Sequence, residues 1–227
     1  MPFDSIYHLH IPRTAGIFIR SNLLSQFNDK KCFADHYIKI DDHEISKSYF
    51  VGGHWGQYPI SKMNNPLIFT VLRDPIERFI SYFNYTRPLF TEMKREELLE
   101  YWLYDETMSS LQSNLQFKFL SSTIDPEQYN LSFDNKNRVE KAWFLKDQKS
   151  YEETIDFINN IEVFLVNKDN PIEKQISDKL NLDPFIVTGK ANKSEGDSKI
   201  FNKHYDRIKE LNKIDLEIYD YVKTQRY

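Results

Sequence analysis

Two short stretches of this 227-residue chain hold residues whose types and spacing suit anion chemistry. In "IYHLHIPRTAGIFIR", Ile6 to Arg20, a strand-like run ends at Ile11. Pro12 forbids its continuation, and Gly16 lets backbone pass close to whatever lies in the bend before helical periodicity begins. Free N–H groups and the positive dipole end of such a helix form an anion site, to which Arg13 adds a permanent charge and a fork of donors. In "VLRDPIERFISYF", Arg73 closes an apolar strand, Asp74 suits an N-cap, Pro75 the first helical position, and Glu77 completes a capping box. Ser81 falls on the flank of that helix's apolar stripe, where it and Arg73 could meet one ligand. Each residue also has a plainer role: Arg13 and Gly16 as turn packing, Arg73 as the partner of an acid, Ser81 as a solvated helix serine. Two anion-suited turns together predict a ligand with two separated negative groups.

These turns need a frame. Ser5–Ile11, Ser48–Gly52, Pro66–Leu72 and Val163–Asn167 read as strands, the third a continuous apolar run of the kind buried on both faces. Helical periodicity covers about Ile17–Phe27, Arg95–Tyr104, Met108–Leu120, Asn137–Asn159, Ile172–Leu180 and Lys199–Lys223, besides the helix after Pro75. Strands interleaved with helices predict an α/β fold: a single domain over residues 1–227, with a short central parallel sheet flanked by helices and ligands at the strands' carboxyl ends.

Composition narrows the chemistry. A net charge of −4 gives no global basic field for nucleic acid or an anionic membrane. The single cysteine, Cys32, excludes an internal disulfide and a multi-cysteine metal cage, which suits a reducing compartment. No apolar run approaches the roughly 20 residues that span a bilayer, and "MPFDSIYHLH" lacks a basic region followed by an apolar core, so a cytoplasmic setting is expected. The G-x-x-x-x-G-K-[ST] pattern is absent: Gly189-Lys190 has no glycine five residues earlier and is followed by Ala191. G-x-G-x-x-G is absent too, which argues against ordinary nucleotide triphosphatases and dinucleotide dehydrogenases. Six histidines compete as proton acceptors near neutrality. His8 and His10 share a strand face and read as a polar strand end. "DDHE", Asp41–Glu44, reads as a solvated loop, and no metal is expected. Gln116 is read as reaching the cleft or as an ordinary polar face. Tyr82, Tyr85, Phe90 and Trp102 are read as aromatic core or as stacking partners for a base or sugar.

With these residues in view, "HIPRTAG" (His10–Gly16) resembles the H-I-P-K-T-[AG]-G loop that binds the 5′-phosphosulfate in sulfotransferases using 3′-phosphoadenosine-5′-phosphosulfate (PAPS). "LRDPIERFISYF" (Leu72–Phe83) resembles that family's R-D-P-x-x-R-x-x-S-x-Y/F element, whose Arg and Ser hold the 3′-phosphate. "VGGHWG", "SNLQFKFL", "ANKSEG" and "IDLEIYDYV" are similar, in order, to further segments of the branch containing heparan and chondroitin sulfotransferases and bacterial relatives. The resemblance implies a P-loop-kinase-like sulfotransferase fold and transfer of a sulfuryl group from PAPS to a hydroxyl acceptor, a carbohydrate or small molecule, without a metal. It implies cofactor binding by Pro12, Arg13, Thr14, Ala15, Gly16, Ile17, Phe18, Arg73, Ser81, Asn192 and Lys193, with Ser194 beside them. Arg13 would stabilise the leaving group, and His54, at the family's G-H position, would be the general base. The family's loop lysine is Arg13 here, and its hydroxyl residues after the glycine are Ile17 and Phe18. Backbone N–H groups and Thr14 would then supply more of the 5′-phosphate contact. The alternatives are a non-catalytic nucleotide- or glycan-binding relative and a kinase-like enzyme using the same turns for ATP.

Overall fold

In the computed structural model, which describes residues 3–34, 39–90, 92–134, 145–167, 170–186 and 199–227, the frame is α/β. The chain runs β1 (Ser5–Leu9), α1 (Gly16–Gln26), β2 (Cys32–Ala34), α2 (Asp42–Lys47), β3 (Phe50–Gly53), β4 (Pro66–Leu72) and α3 (Pro75–Thr86). It continues through α4 (Arg95–Tyr104), α5 (Glu106–Gln112), α6 (Leu115–Ser121), β5 (Thr123–Ile124), α7 (Pro126–Asp134), β6 (Leu145–Lys146), α8 (Tyr151–Asn159) and β7 (Glu162–Leu165). The last elements are α9 (Ile172–Leu180), α10 (Lys199–Lys203), α11 (Tyr205–Leu211) and α12 (Lys213–Arg226).

Five strands form one parallel sheet in the order β2-β3-β1-β4-β7, while β5 and β6 make a small antiparallel ribbon. Both sheet faces are covered. Ile6, Phe69 and Val71 pack with Ile19 and Leu23 of α1 and Ile176 of α9 on one side. Tyr7, Leu9 and Val51 pack with Phe119 of α6, Ile158 of α8 and Ile218 of α12 on the other. That double burial is why Pro66–Leu72 is an unbroken apolar run. A third cluster joins Phe79 and Phe83 of α3 to Trp102 of α4 and Ile208 of α11.

From β1 the chain moves toward β2 and β3, and from β4 it moves toward β7, so the direction of winding reverses between the adjacent strands β1 and β4. The crevice outside the carboxyl ends of two such strands is where open α/β sheets take ligands. Both anion-suited turns leave from it.

Four expectations from the sequence are corrected. The helix expected over Met108–Leu120 is two helices, broken at Asn114, whose backbone is left-handed (φ 43°, ψ 46°). The long terminal helix is three, interrupted at His204 and Asn212. The supposed solvated loop at Asp41–Glu44 starts α2: the Asp41 carboxylate caps it by accepting from His43 and Glu44 N–H, and Asp42 pairs with Lys62 at 2.8 Å. Of the helix expected over Asn137–Asn159, only Tyr151–Asn159 is helical among the described residues, and Leu145–Lys146 is a strand.

Candidate functional site

The turn after β1 is built on two left-handed residues that are not glycine, Arg13 (φ 71°) and Ala15 (φ 68°). A left-handed conformation of that kind costs roughly 1–2 kcal/mol per residue. Strain of this kind persists where surrounding structure enforces it, and alternating turn geometry aims successive N–H groups into one concavity. Thr14 is fully buried, and its hydroxyl donates to the Ile11 carbonyl at 2.9 Å, closing the turn from inside. The expected side-chain help of Thr14 toward a phosphate is therefore committed inward. Ala15 occupies the N-cap of α1 without a capping side chain, and no acidic residue sits in the first turn. The start of α1, Gly16 with exposed Ile17 and half-buried Phe18, thus keeps its positive end uncompensated by side chains. Phe18 packs edge-on against Phe185 at 6.0 Å. Gly16 is required for a steric reason: a Cβ there would lie 1.8 Å from Nε2 of His10, whose ring is wedged beneath the turn. Ala15→Gly should raise the unfolding free energy by about 0.5–1 kcal/mol, relief of strain exceeding the added chain entropy. Chemical denaturation checks this, and a lowered midpoint would refute it.

The turn after β4 is made differently. Asp74 caps α3, accepting from Ile76 N–H at 3.0 Å and Glu77 N–H at 2.9 Å, with Pro75 at the first helical position. Its dipole end is already answered by a carboxylate, so this turn offers side chains rather than free N–H groups. Glu77 does not complete a capping box; its carboxylate takes Arg73 instead, Nη2 at 3.2 Å and Nε at 3.3 Å. Gln116 does not reach the cleft as a ligand group. Its side-chain amide clamps the backbone of Arg73, accepting from the Arg73 N–H and donating to the Arg73 carbonyl, both at 3.0 Å. The β4 end is thereby extended by an amide that mimics a neighbouring strand.

The two turns meet. Arg13 Nε donates to Oγ of buried Ser81 at 3.0 Å across 68 positions of sequence, and the Arg13 guanidinium lies 4.6 Å from the centre of the Tyr85 ring. Burial lowers the Arg13 pKa; Tyr85 opposes that shift and the like charge of Arg73 adds to it. Beneath them Arg78 is fully buried, its three guanidinium nitrogens without a hydrogen-bond partner among the described residues. Burial lowers its pKa as well, with Asp215 the main opposing charge. Burial also lowers the Lys118 ammonium to about 8. Arg13, Arg73, Arg78 and Lys118 at this end of the sheet outnumber the acids Asp74, Glu77 and Asp215 by one charge in a chain of net negative charge.

His54 follows β3, next to β1 in the sheet, and is buried. Its Nδ1 lies 2.9 Å from the His10 carbonyl oxygen. Facing an acceptor, Nδ1 is the protonated ring nitrogen, so the neutral ring keeps its lone pair on Nε2, as a general base requires. The rings of His54 and His10 stack at 4.3 Å, His10 and His8 at 5.1 Å, and His8 and Phe69 at 4.5 Å. The polar strand end read at His8 and His10 is thus a buried column of stacked rings leading to His54. Of the aromatics near α3, Trp102 is core and Tyr82 packs at 5.8 Å from it, whereas Tyr85 is half exposed beside Arg13.

Asn192, Lys193 and Ser194, and likewise His36, lie outside the described residues. Among the described residues no group of three or more His, Cys, Asp or Glu is arranged to hold a metal ion, and no helix is long and apolar enough to cross a membrane. The residues missed in sequence are Tyr85 as a partner of Arg13, Asn114, and Asp215, which accepts from the N–H groups of Gln116 and Phe117 at the start of α6. The last two lie in the segments "SNLQFKFL" and "IDLEIYDYV" singled out in the sequence, but their mutual capping is not legible there. Compared with protein-family models and with curated proteins, the chain shows no match.

Proposed function

We propose that the chain is a PAPS-dependent sulfotransferase of P-loop-kinase-like fold, transferring a sulfuryl group to a hydroxyl of a carbohydrate or small molecule. The observation that carries this reading is a contact across the reversal point: Arg13, in the turn after β1, bonds Ser81 of α3, the helix that follows β4, and the charge of Arg73 acts on Arg13. A nucleotide bearing a 5′-phosphosulfate and a 3′-phosphate matches two anion subsites of different construction, one of helix N–H groups and one of side chains.

The residues present fit such a ligand. Arg13 and the N–H groups of Gly16, Ile17 and Phe18 would stabilise charge growing on the leaving 5′-phosphate oxygen. Arg73 would hold the 3′-phosphate, and Ser81, which accepts from Arg13, keeps its own O–H proton for a ligand oxygen. His54, its tautomer held by the His10 carbonyl, would take the proton of the acceptor hydroxyl.

Arg73→Ala should weaken binding of 3′,5′-diphosphoadenosine by about 1.5–3 kcal/mol, the scale of a charged hydrogen bond. Titration calorimetry giving unchanged affinity would remove Arg73 from the site. Transfer of labelled sulfate from PAPS to a panel of sugar and small alcohol acceptors tests the activity itself. One observation favours a second reading, a binding relative without turnover: Ile17 and Phe18 bring no hydroxyl to the start of α1, and Ile17 is exposed. Tight diphosphoadenosine binding with no transfer to any acceptor would select it.

A further inference from the structure

Arg13 is the residue at which this chain departs from a lysine-bearing loop, and its surroundings are built for a planar fork rather than a point charge. Nε is fixed by Ser81 Oγ at 3.0 Å, and the guanidinium carbon stands 4.6 Å over the Tyr85 ring. Its terminal nitrogens Nη1 and Nη2 make no hydrogen bond among the described residues, and the side chain is half-buried at the mouth of the crevice. An edge contact that holds Nε and a face contact that holds the plane together define the orientation of all five donors. An ammonium has neither an Nε edge nor a plane for these two contacts to fix.

We infer that Tyr85, together with Ser81, is a positioning residue that presents the paired terminal amino groups of Arg13 as a ready-made bidentate receptor for a tetrahedral oxyanion. This rests on the reading of the crevice as an anion site. The ligand chemistry it selects is a phosphate or sulfate ester with two oxygens in the plane of the guanidinium. Preorganisation removes the ordering cost that a free arginine would meet on binding. Tyr85 acts through Arg13 and touches no ligand in this account. It is half exposed, so its replacement leaves the core of α3 intact.

The test is a cycle between positions 85 and 13, read by calorimetry with inorganic pyrophosphate and with 3′,5′-diphosphoadenosine. Tyr85→Leu should raise the dissociation constant roughly 3–5-fold, and Tyr85→Phe, which restores the ring face, should recover most of that. In an Arg13→Gln background, Tyr85→Leu should change affinity by less than about twofold. In the ligand-free protein, the Arg13 Nε–H resonance in nitrogen-15 spectra should be shifted by the Tyr85 ring and slow to exchange, and Ser81→Ala should abolish that protection. Equal losses from Tyr85→Leu in both backgrounds, or an Nε–H already exchanging freely, would overturn the inference. If pyrophosphate binds and diphosphoadenosine binds no better, the sulfotransferase reading fails while the cradle stands; if neither binds, both fall.

Discussion

Asp215→Ala lowers the free energy of unfolding by about 3–5 kcal/mol, the range seen when one member of a buried charged network is removed. The side chain is fully buried, and its carboxylate accepts from the N–H groups of Gln116 at 3.0 Å and Phe117 at 2.7 Å. In return Asn114, at the start of α6, accepts through Oδ1 from Ile214 and Asp215 N–H at the start of α12. Two helices cap each other, so one truncation leaves donors of α6 unsatisfied and deprives Arg78 and Lys118 of their main opposing charge. Asp215→Asn keeps an acceptor oxygen and should lose less. Denaturant unfolding at constant m-value is the measurement. A loss below about 1 kcal/mol would mean that water or repacking serves the α6 terminus equally well.

If the chain is the sulfotransferase proposed above, His54→Ala should reduce turnover by about 10²–10⁴-fold, the contribution of a well-placed general base, while calorimetry with 3′,5′-diphosphoadenosine should stay within about twofold of wild type. The split follows from position: His54 stands beside the first turn on the β3 side, away from Arg73, and meets the turn through the His10 carbonyl and ring. His54→Asn, which keeps a donor for that carbonyl, separates the role of base from that of support. Its turnover should match the alanine variant if Nε2 removes the proton. Full turnover in either variant would hand that role to another group, and His10 would be the first to examine.

Much of the frame was written locally. Pro66–Leu72 and Arg95–Tyr104 have the bounds read from their apolar patterns, and Asp74-Pro75 fixes the start of α3 as its residue types require. The misreadings have more than one cause. Asn114 interrupts a long helical pattern because a partner far away in sequence decides it, its side chain serving an N–H 100 positions distant, whereas the Asn212 side chain donates locally to the Ile208 carbonyl. Glu77 had a good local reason to turn back on Asp74, yet Arg73, four residues earlier, competes for the same carboxylate and wins. The site followed the same division. Its cations and glycine were legible as types in turns, but the Arg13–Ser81 bond and the Gln116 clamp join residues 68 and 43 positions apart, distances over which periodicity carries no information.

The place of β1 in the middle of the sheet bears on how the chain acquires its structure. Its partners are Phe50–Gly53 on one side and Pro66–Thr70 on the other, and the Thr70 hydroxyl donates to the Leu9 carbonyl across 61 positions. During synthesis β1 emerges before both neighbours and stays without them until those later segments have left the ribosome. Closing such long loops before any contact rewards them makes assembly slow, on the order of milliseconds to seconds by the trend for non-local topologies. Over that interval the apolar segment of Ile6, Tyr7 and Leu9 is open to chaperones or to mispairing with another nascent copy.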